Sequence, residues 1–170
     1  YFAGCSTGGR EGMLASERYP EEFHGIVSGD PAMNTGHSNL GLAWFNHAFA
    51  EIAPKDASGK PEPTKAFSPA QQQLVVDSSL NACDALDGVK DGVLENPSRC
   101  AFDPAELQCK AGAGPDCLDA GEVAALRKLY QGARLRSGQS VISGFAVGGE
   151  TTDWTAWITS TKSSQINFRS

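Results

Sequence analysis

The sequence predicts an α/β fold at its start that gives way, after residue 33, to a mostly helical and irregular segment. Three observations carry this. Residues 1–33 read as strand, tight turn, helix, loop, strand, which is the repeating unit of a parallel sheet. After Met33 that alternation stops, and two strong helix-start signals stand at Ser68 and Asp119. Four cysteines then crowd into the stretch between Cys83 and Cys117. The expected organisation is therefore a core piece over 1–33 and an inserted segment over 34–170.

Tyr1-Phe2-Ala3 reads as the end of a buried strand, and no Met precedes it, so the chain is expected to be an internal piece of a longer protein. Gly8 to about Arg18 reads as a helix ended by Tyr19-Pro20, because proline cannot continue it. His24 to Ser28 is a short apolar strand stopped by Gly29-Asp30-Pro31. Residues 34–67 mix the aromatics Trp44, Phe45 and Phe49 with a Pro/Lys/Ser-rich stretch over 53–65, and that stretch reads as loop-like. Ser68-Pro69-Ala70-Gln71 has the form of a capping box with proline at the first helical position, opening a helix to about Ala82. Asp119 caps another helix, with Glu122 as its third-position partner, Val123, Leu126, Leu129 and Tyr130 as its apolar face and Gly132 as its stop.

The net charge of -6 and the scattering of the 14 basic residues argue against nucleic acid or an anionic membrane as the main partner. No apolar run is long enough to cross a bilayer. Five cysteines point to an oxidising compartment, secreted or periplasmic. Their order suggests the local bridges Cys83–Cys100 and Cys109–Cys117, although four cysteines allow three pairings. Cys5 is the odd one out.

Gly4-Cys5-Ser6-Thr7-Gly8 fits G-x-S-x-G, in which a serine sits on a sharp strand-to-helix turn. Flanking glycines are expected to remove Cβ atoms that would clash there. Ser6 becomes a candidate nucleophile and the Thr7 backbone N–H a candidate oxyanion donor. The bland alternative is a Gly/Ser-rich turn; the strand-like residues before and the helix after favour the nucleophile. The order Ser, acid, His would follow along such a chain. His24 stands at the wrong end of its strand, and His37 and His47 read as solvated or packing residues. Asp30 ends a strand on the right edge, but Gly-Asp-Pro reads first as a turn. The acid and base are expected beyond Ser170.

The run from Cys83 to Val93 places carboxylates at Asp84, Asp87 and Asp91 around two glycines, with the Val89 and Val93 carbonyls free to turn inward. Hard oxygen donors in that density suit calcium, in a structural role, although the spacing is not that of an EF-hand. The alternative is a hairpin with two Asp-Gly turns. No CxxC pair is present to suggest zinc.

These residues together resemble the tannase/feruloyl esterase family of secreted serine esterases, which includes terephthalate monoester hydrolases. The resemblance rests on Tyr1 to Arg10, Arg18-Tyr19-Pro20, Gly25-Ile26-Val27, the Cys83–Val93 run, Cys100 and Leu129 to Ala133. It implies an α/β-hydrolase core fragment followed by a large lid insertion, with Ser6 as nucleophile. It implies lid calcium on the Asp84, Asp87 and Asp91 side chains and the Val89 and Val93 carbonyls. It also pairs Cys5 with a cysteine beside the catalytic histidine, outside this chain. The implied substrates are esters of phenolic or other aromatic acids. Trp44, Trp154 and Trp157 would be able to stack on such an acid, and core packing is an equal alternative for each. A rival from another class is a secreted, calcium-stabilised binding module in which the GCSTG run is only a turn.

Overall fold

The computed structural model describes residues 1–110, 114, 116–148, 150 and 154. The chain divides into two compact units, residues 1–38 and 39–170.

The first unit is a strand–helix–strand motif. β1 (Phe2–Cys5) and β2 (Ile26–Gly29) pair in parallel, with Phe2 opposite Ile26 and Cys5 opposite Gly29. α1 (Thr7–Arg18) connects them and stops at the expected Tyr19-Pro20. The helix lies very close to the sheet. The Ser28 hydroxyl donates to the Gly9 carbonyl at 2.7 Å, and Gly12 lies so near Phe2 and Ile26 that an added Cβ would meet both at 3.2 Å.

The second unit is helical. α2 (Thr35–Ile52) begins in the first unit and runs into the second, followed by α3 (Pro69–Cys83) and α4 (Ala120–Gln131). Short 3-10 turns occupy Pro63–Lys65, Asp84–Asp87, Pro97–Arg99 and Pro104–Leu107. The loop-like stretch over 53–65 lies outside α2, which fills 35–52, a span for which the sequence gives no strong helix-start signal. Its buried residues Gly41, Phe45, Ala48 and Phe49 fall at helical spacing, so burial of that face overrides the weak helix formers Thr35, Gly36, His37, Ser38 and Asn39.

Both capping boxes form as the sequence predicts. The Ser68 hydroxyl accepts from the Gln71 N–H while Gln71 Oε1 accepts from the Ser68 N–H; Asp119 and Glu122 make the same reciprocal pair. The boxes are also joined, because Gln71 Nε2 donates to Glu122 Oε1 at 2.7 Å. One polar side chain thus fixes the starts of two helices. Such caps contribute about 1 kcal/mol each.

The core of this unit gathers Phe45 and Phe49 from α2, Phe67, Val75 from α3, Leu118, and Val123, Leu126 and Leu129 from α4. Trp154 packs edge-on against Phe49 and tilted against Phe67, with ring centroids 5.1 and 5.3 Å apart. At 1% exposure it is a core residue. Trp44 is half-buried, and its indole N–H donates to the Lys128 carbonyl at 3.2 Å. Trp157 lies outside the described residues. The bridges Cys83–Cys100 and Cys109–Cys117 close loops of 17 and 8 residues, the pairing the cysteine order suggests. Chain-entropy arguments give each roughly 2–3 kcal/mol. A fully buried carboxylate, Glu150, accepts from the Tyr130 hydroxyl at 2.7 Å and from the Gly148 N–H at 3.0 Å. Burial, followed by the charge of Glu150, holds the Tyr130 phenol well above its ordinary range.

Candidate active site

Ser6 stands between β1 and α1, at the N-cap position of the helix, with φ 57° and ψ -116°. A serine that caps a helix sits in extended backbone and turns its oxygen back onto the helix N–H groups. Ser6 does neither. Its left-handed φ is strained for a non-glycine residue, and its side chain makes no capping bond. The hydroxyl is therefore exposed and available, at the C-terminal end of a parallel strand.

Backbone bonds hold the strain in place. The Ser6 N–H donates to the Gly29 carbonyl at 3.1 Å, and the Ser6 carbonyl accepts from the Arg10 N–H at 3.0 Å and the Ala32 N–H at 3.1 Å. The bend is thus tied on one side to α1 and on the other to the turn after β2. Thr7 opens α1, so its N–H is one of the helix's orphan donors, and it makes no hydrogen bond among the described residues.

The glycines do not share the work as their symmetric spacing suggests. A Cβ on Gly4 would lie 2.5 Å from the Gly8 backbone, so Gly4 must lack one. A Cβ on Gly8 would meet nothing within 4 Å. The expectation of steric need at both flanks is corrected: Gly8 takes part only as the backbone that crowds position 4. The second obligatory glycine is Gly9, whose Cβ would sit 2.4 Å from the Gly29 carbonyl oxygen. Sequence reasoning missed it, because its obstacle lies on the next strand.

Asp30 follows β2 with φ 37°, the other non-glycine residue of positive φ among those described. Asp30 is a bend just past the end of β2, and two residues on the Ala32 N–H bonds the Ser6 carbonyl. His24 precedes β2. His47, on α2, pairs with Glu51 at 3.4 Å. The Glu51 carboxyl is held below its usual range, chiefly by its hydrogen bond from Lys128. Cys5 is exposed and is the free cysteine among the described residues.

The acidic loop does not form the hairpin that one sequence reading offers. Asp84 to Asp87 is a 3-10 turn closed by Gly88 in left-handed backbone, and no hairpin forms over residues 84–93 among the described residues. Asp84 is 6% exposed, and its Oδ1 accepts from the Gly92 N–H at 3.0 Å and the Asp91 N–H at 3.3 Å. The Asp87 and Asp91 side chains each turn back onto the N–H two residues on, those of Val89 and Val93. Val89 and Val93 are both 57% exposed. All-oxygen donor chemistry suits a hard cation, but as placed these carboxylates are engaged with backbone N–H groups. No three acidic, His or Cys side chains converge on a common point among the described residues. The arrangement is a set of turns around a buried Asp84, and it does not by itself make a cation cage.

A parallel strand–turn–helix–strand unit with a serine strained at the turn is the elbow unit of the α/β-hydrolase class. The comparisons narrow the class. The family model described as tannase and feruloyl esterase matches residues 1–169, and the chain belongs to that family. It is 40% identical over 144 residues to the mono(2-hydroxyethyl) terephthalate hydrolase of Piscinibacter sakaiensis, covering 78% of this chain and 24% of that protein. A probable feruloyl esterase B-2 of Aspergillus terreus is 37% identical over 130 residues, covering 76% of this chain and 23% of that protein. Among solved structures, feruloyl esterase B from Aspergillus oryzae superposes with a TM-score of 0.70 at 28% identity, over 93% of this chain and 30% of that one. The chain spans about a quarter of the length of the curated relatives it matches.

Proposed function

We propose that this chain carries the nucleophile of a carboxylic ester hydrolase acting on esters of aromatic, phenolic acids. The observation that carries the reading is the strained, exposed, uncapped Ser6 at the strand-to-helix turn. In this reading the Ser6 hydroxyl oxygen attacks the ester carbonyl while a histidine accepts its proton. The Thr7 N–H donates to the oxyanion that forms. Collapse expels the alcohol, which takes the proton back, and leaves an acyl-serine; water then repeats the sequence and releases the acid.

The histidine and its orienting aspartate are assigned to residues outside these 170, in keeping with the much greater length of the relatives. Cys5 would pair with a cysteine beside that histidine, tying nucleophile and base together. Residues 34–170 would form the lid of the active site. Two disulfides support an oxidising, secreted or periplasmic setting. Among the described residues no helix is long and apolar enough to cross a membrane.

Calcium on Asp84, Asp87, Asp91 and the Val89 and Val93 carbonyls is a separable part of the proposal. It requires Asp87 and Asp91 to leave their local turns. If it holds, chelation lowers the melting temperature of the intact protein and elemental analysis finds calcium; an unchanged melting curve without bound calcium removes the metal and leaves the esterase reading intact. That reading is tested by hydrolysis of aromatic esters. Ser6→Ala should lose at least about a thousandfold in kcat. Full activity in that variant would overturn it.

A further inference from the structure

The residue beside the elbow carries a charge that the backbone does not require. Strand register places Cys5 opposite Gly29, so the next step sets Ser6 beside Asp30. Two backbone bonds bracket that position, from the Ser6 N–H to the Gly29 carbonyl and from the Ala32 N–H to the Ser6 carbonyl. Neighbouring strands lie roughly 5 Å apart, so the backbone of residue 30 runs at about that distance from the backbone of Ser6. At φ 37° the backbone favours Gly, Asn or Asp, and Gly or Asn would serve the turn without a charge. The Asp30 side chain is exposed and makes no ion pair or hydrogen bond among the described residues. Arg10, one helical turn beyond Ser6, has its Nε enclosed, and among the described residues it forms no ion pair with Asp30.

We propose that Asp30 sets the charge preference of the site, disfavouring esters whose aromatic acid carries a second, free carboxylate relative to neutral esters. The proposal rests on Ser6 being the nucleophile. An anionic substrate bound for attack brings its charge within reach of an uncompensated carboxylate at the same strand edge, where ligands of open parallel sheets bind. For partly exposed groups at such separations, Coulomb's law gives a discrimination of about three- to tenfold. Asn is the informative replacement, since it keeps the shape and tolerates the left-handed backbone.

The test compares, in the intact protein, kcat/KM for the monomethyl and dimethyl esters of one aromatic diacid. Asp30→Asn should raise the anionic-to-neutral ratio about three- to tenfold at low ionic strength. Raising salt from about 0.01 M to about 0.5 M should move the wild-type ratio toward that of the variant, while Asp30→Glu keeps the wild-type ratio. A ratio unmoved by Asp30→Asn, or one that shifts equally in Asp30→Glu, overturns the proposal. Ser6→Ala on the same two esters separates the two readings. Loss of both activities with an unmoved Asp30→Asn ratio defeats only the role of Asp30, whereas retained activity defeats the nucleophile itself.

Discussion

The two units are stabilised by opposite means. Among the described residues of the first, the fully buried positions are Gly9 and Gly12, and Met13, Tyr19 and Val27 are 44%, 60% and 68% exposed. The second encloses Phe49, Val75, Leu126, Leu129 and Trp154 at 1% exposure or less and adds two disulfides. What shapes the first is close approach of backbone to backbone, made possible where Cβ atoms are absent. What shapes the second is side-chain volume. The lesson is that an elbow is built by leaving atoms out, so its geometry should be sensitive to one added methyl, whereas the helical unit should be sensitive to methyls removed.

The largest effect on stability should come from Phe49→Ala. Phe49 packs on both Phe67 and Trp154, and emptying that position should cost about 3–5 kcal/mol, read by denaturant melts of the intact protein. Because Phe49 belongs to the second unit, the Ser6 turn should keep its reactivity in whatever fraction remains folded. Next comes Gly9→Ala, which forces a methyl against the Gly29 carbonyl. It should cost about 1–3 kcal/mol and lower esterase activity beyond the loss of folded protein. Gly8→Ala is its control and should be milder, because its Cβ meets open space. Equal effects at 8 and 9 would break the steric account of the elbow.

A change of similar size is expected from Tyr130→Phe. It leaves buried Glu150 without its hydroxyl donor and should cost about 1–3 kcal/mol. The sign of the pH dependence follows from the raised phenol: its proton is kept in the folded state and lost first in the unfolded one. Stability from this pair is therefore full below about pH 10 and declines as pH rises above it, a decline that Tyr130→Phe should reduce. The smallest effect belongs to Asp103, which Arg127 grips with two of its three guanidinium nitrogens at 3.0 and 2.6 Å on the surface. The hydrogen bond from Arg127 holds the Asp103 carboxyl below its usual range, so its contribution is present above about pH 4 and fades as pH falls through that lowered value. Asp103→Asn should flatten that acid limb slightly.

What was legible in the sequence was local. Both capping boxes lie within four consecutive residues, and both disulfides join neighbours along the chain, so their signals survive without tertiary knowledge. The elbow's spacing was legible for the same reason. α2 was not, since Asn34 before it has no Glu or Gln three residues on to complete a capping box, and its apolar period, from Gly41 through Phe45, Ala48 and Phe49, becomes decisive only with a core to face. Gly9 was invisible because the atom that forbids a side chain there belongs to Gly29. In the acidic loop the spacing gave the donors but not their aim: short Asp side chains bond backbone N–H groups two residues on, which composition cannot distinguish from turning inward.

Reaction of the intact protein with a fluorophosphonate, followed by peptide mass mapping, tests the central claim most directly. A nucleophile held out by the strained turn should carry one adduct on Ser6, formed in step with loss of esterase activity and absent after Ser6→Ala. Inhibition with the adduct on another residue, or an unlabelled Ser6 in a protein that stays active, would contradict it.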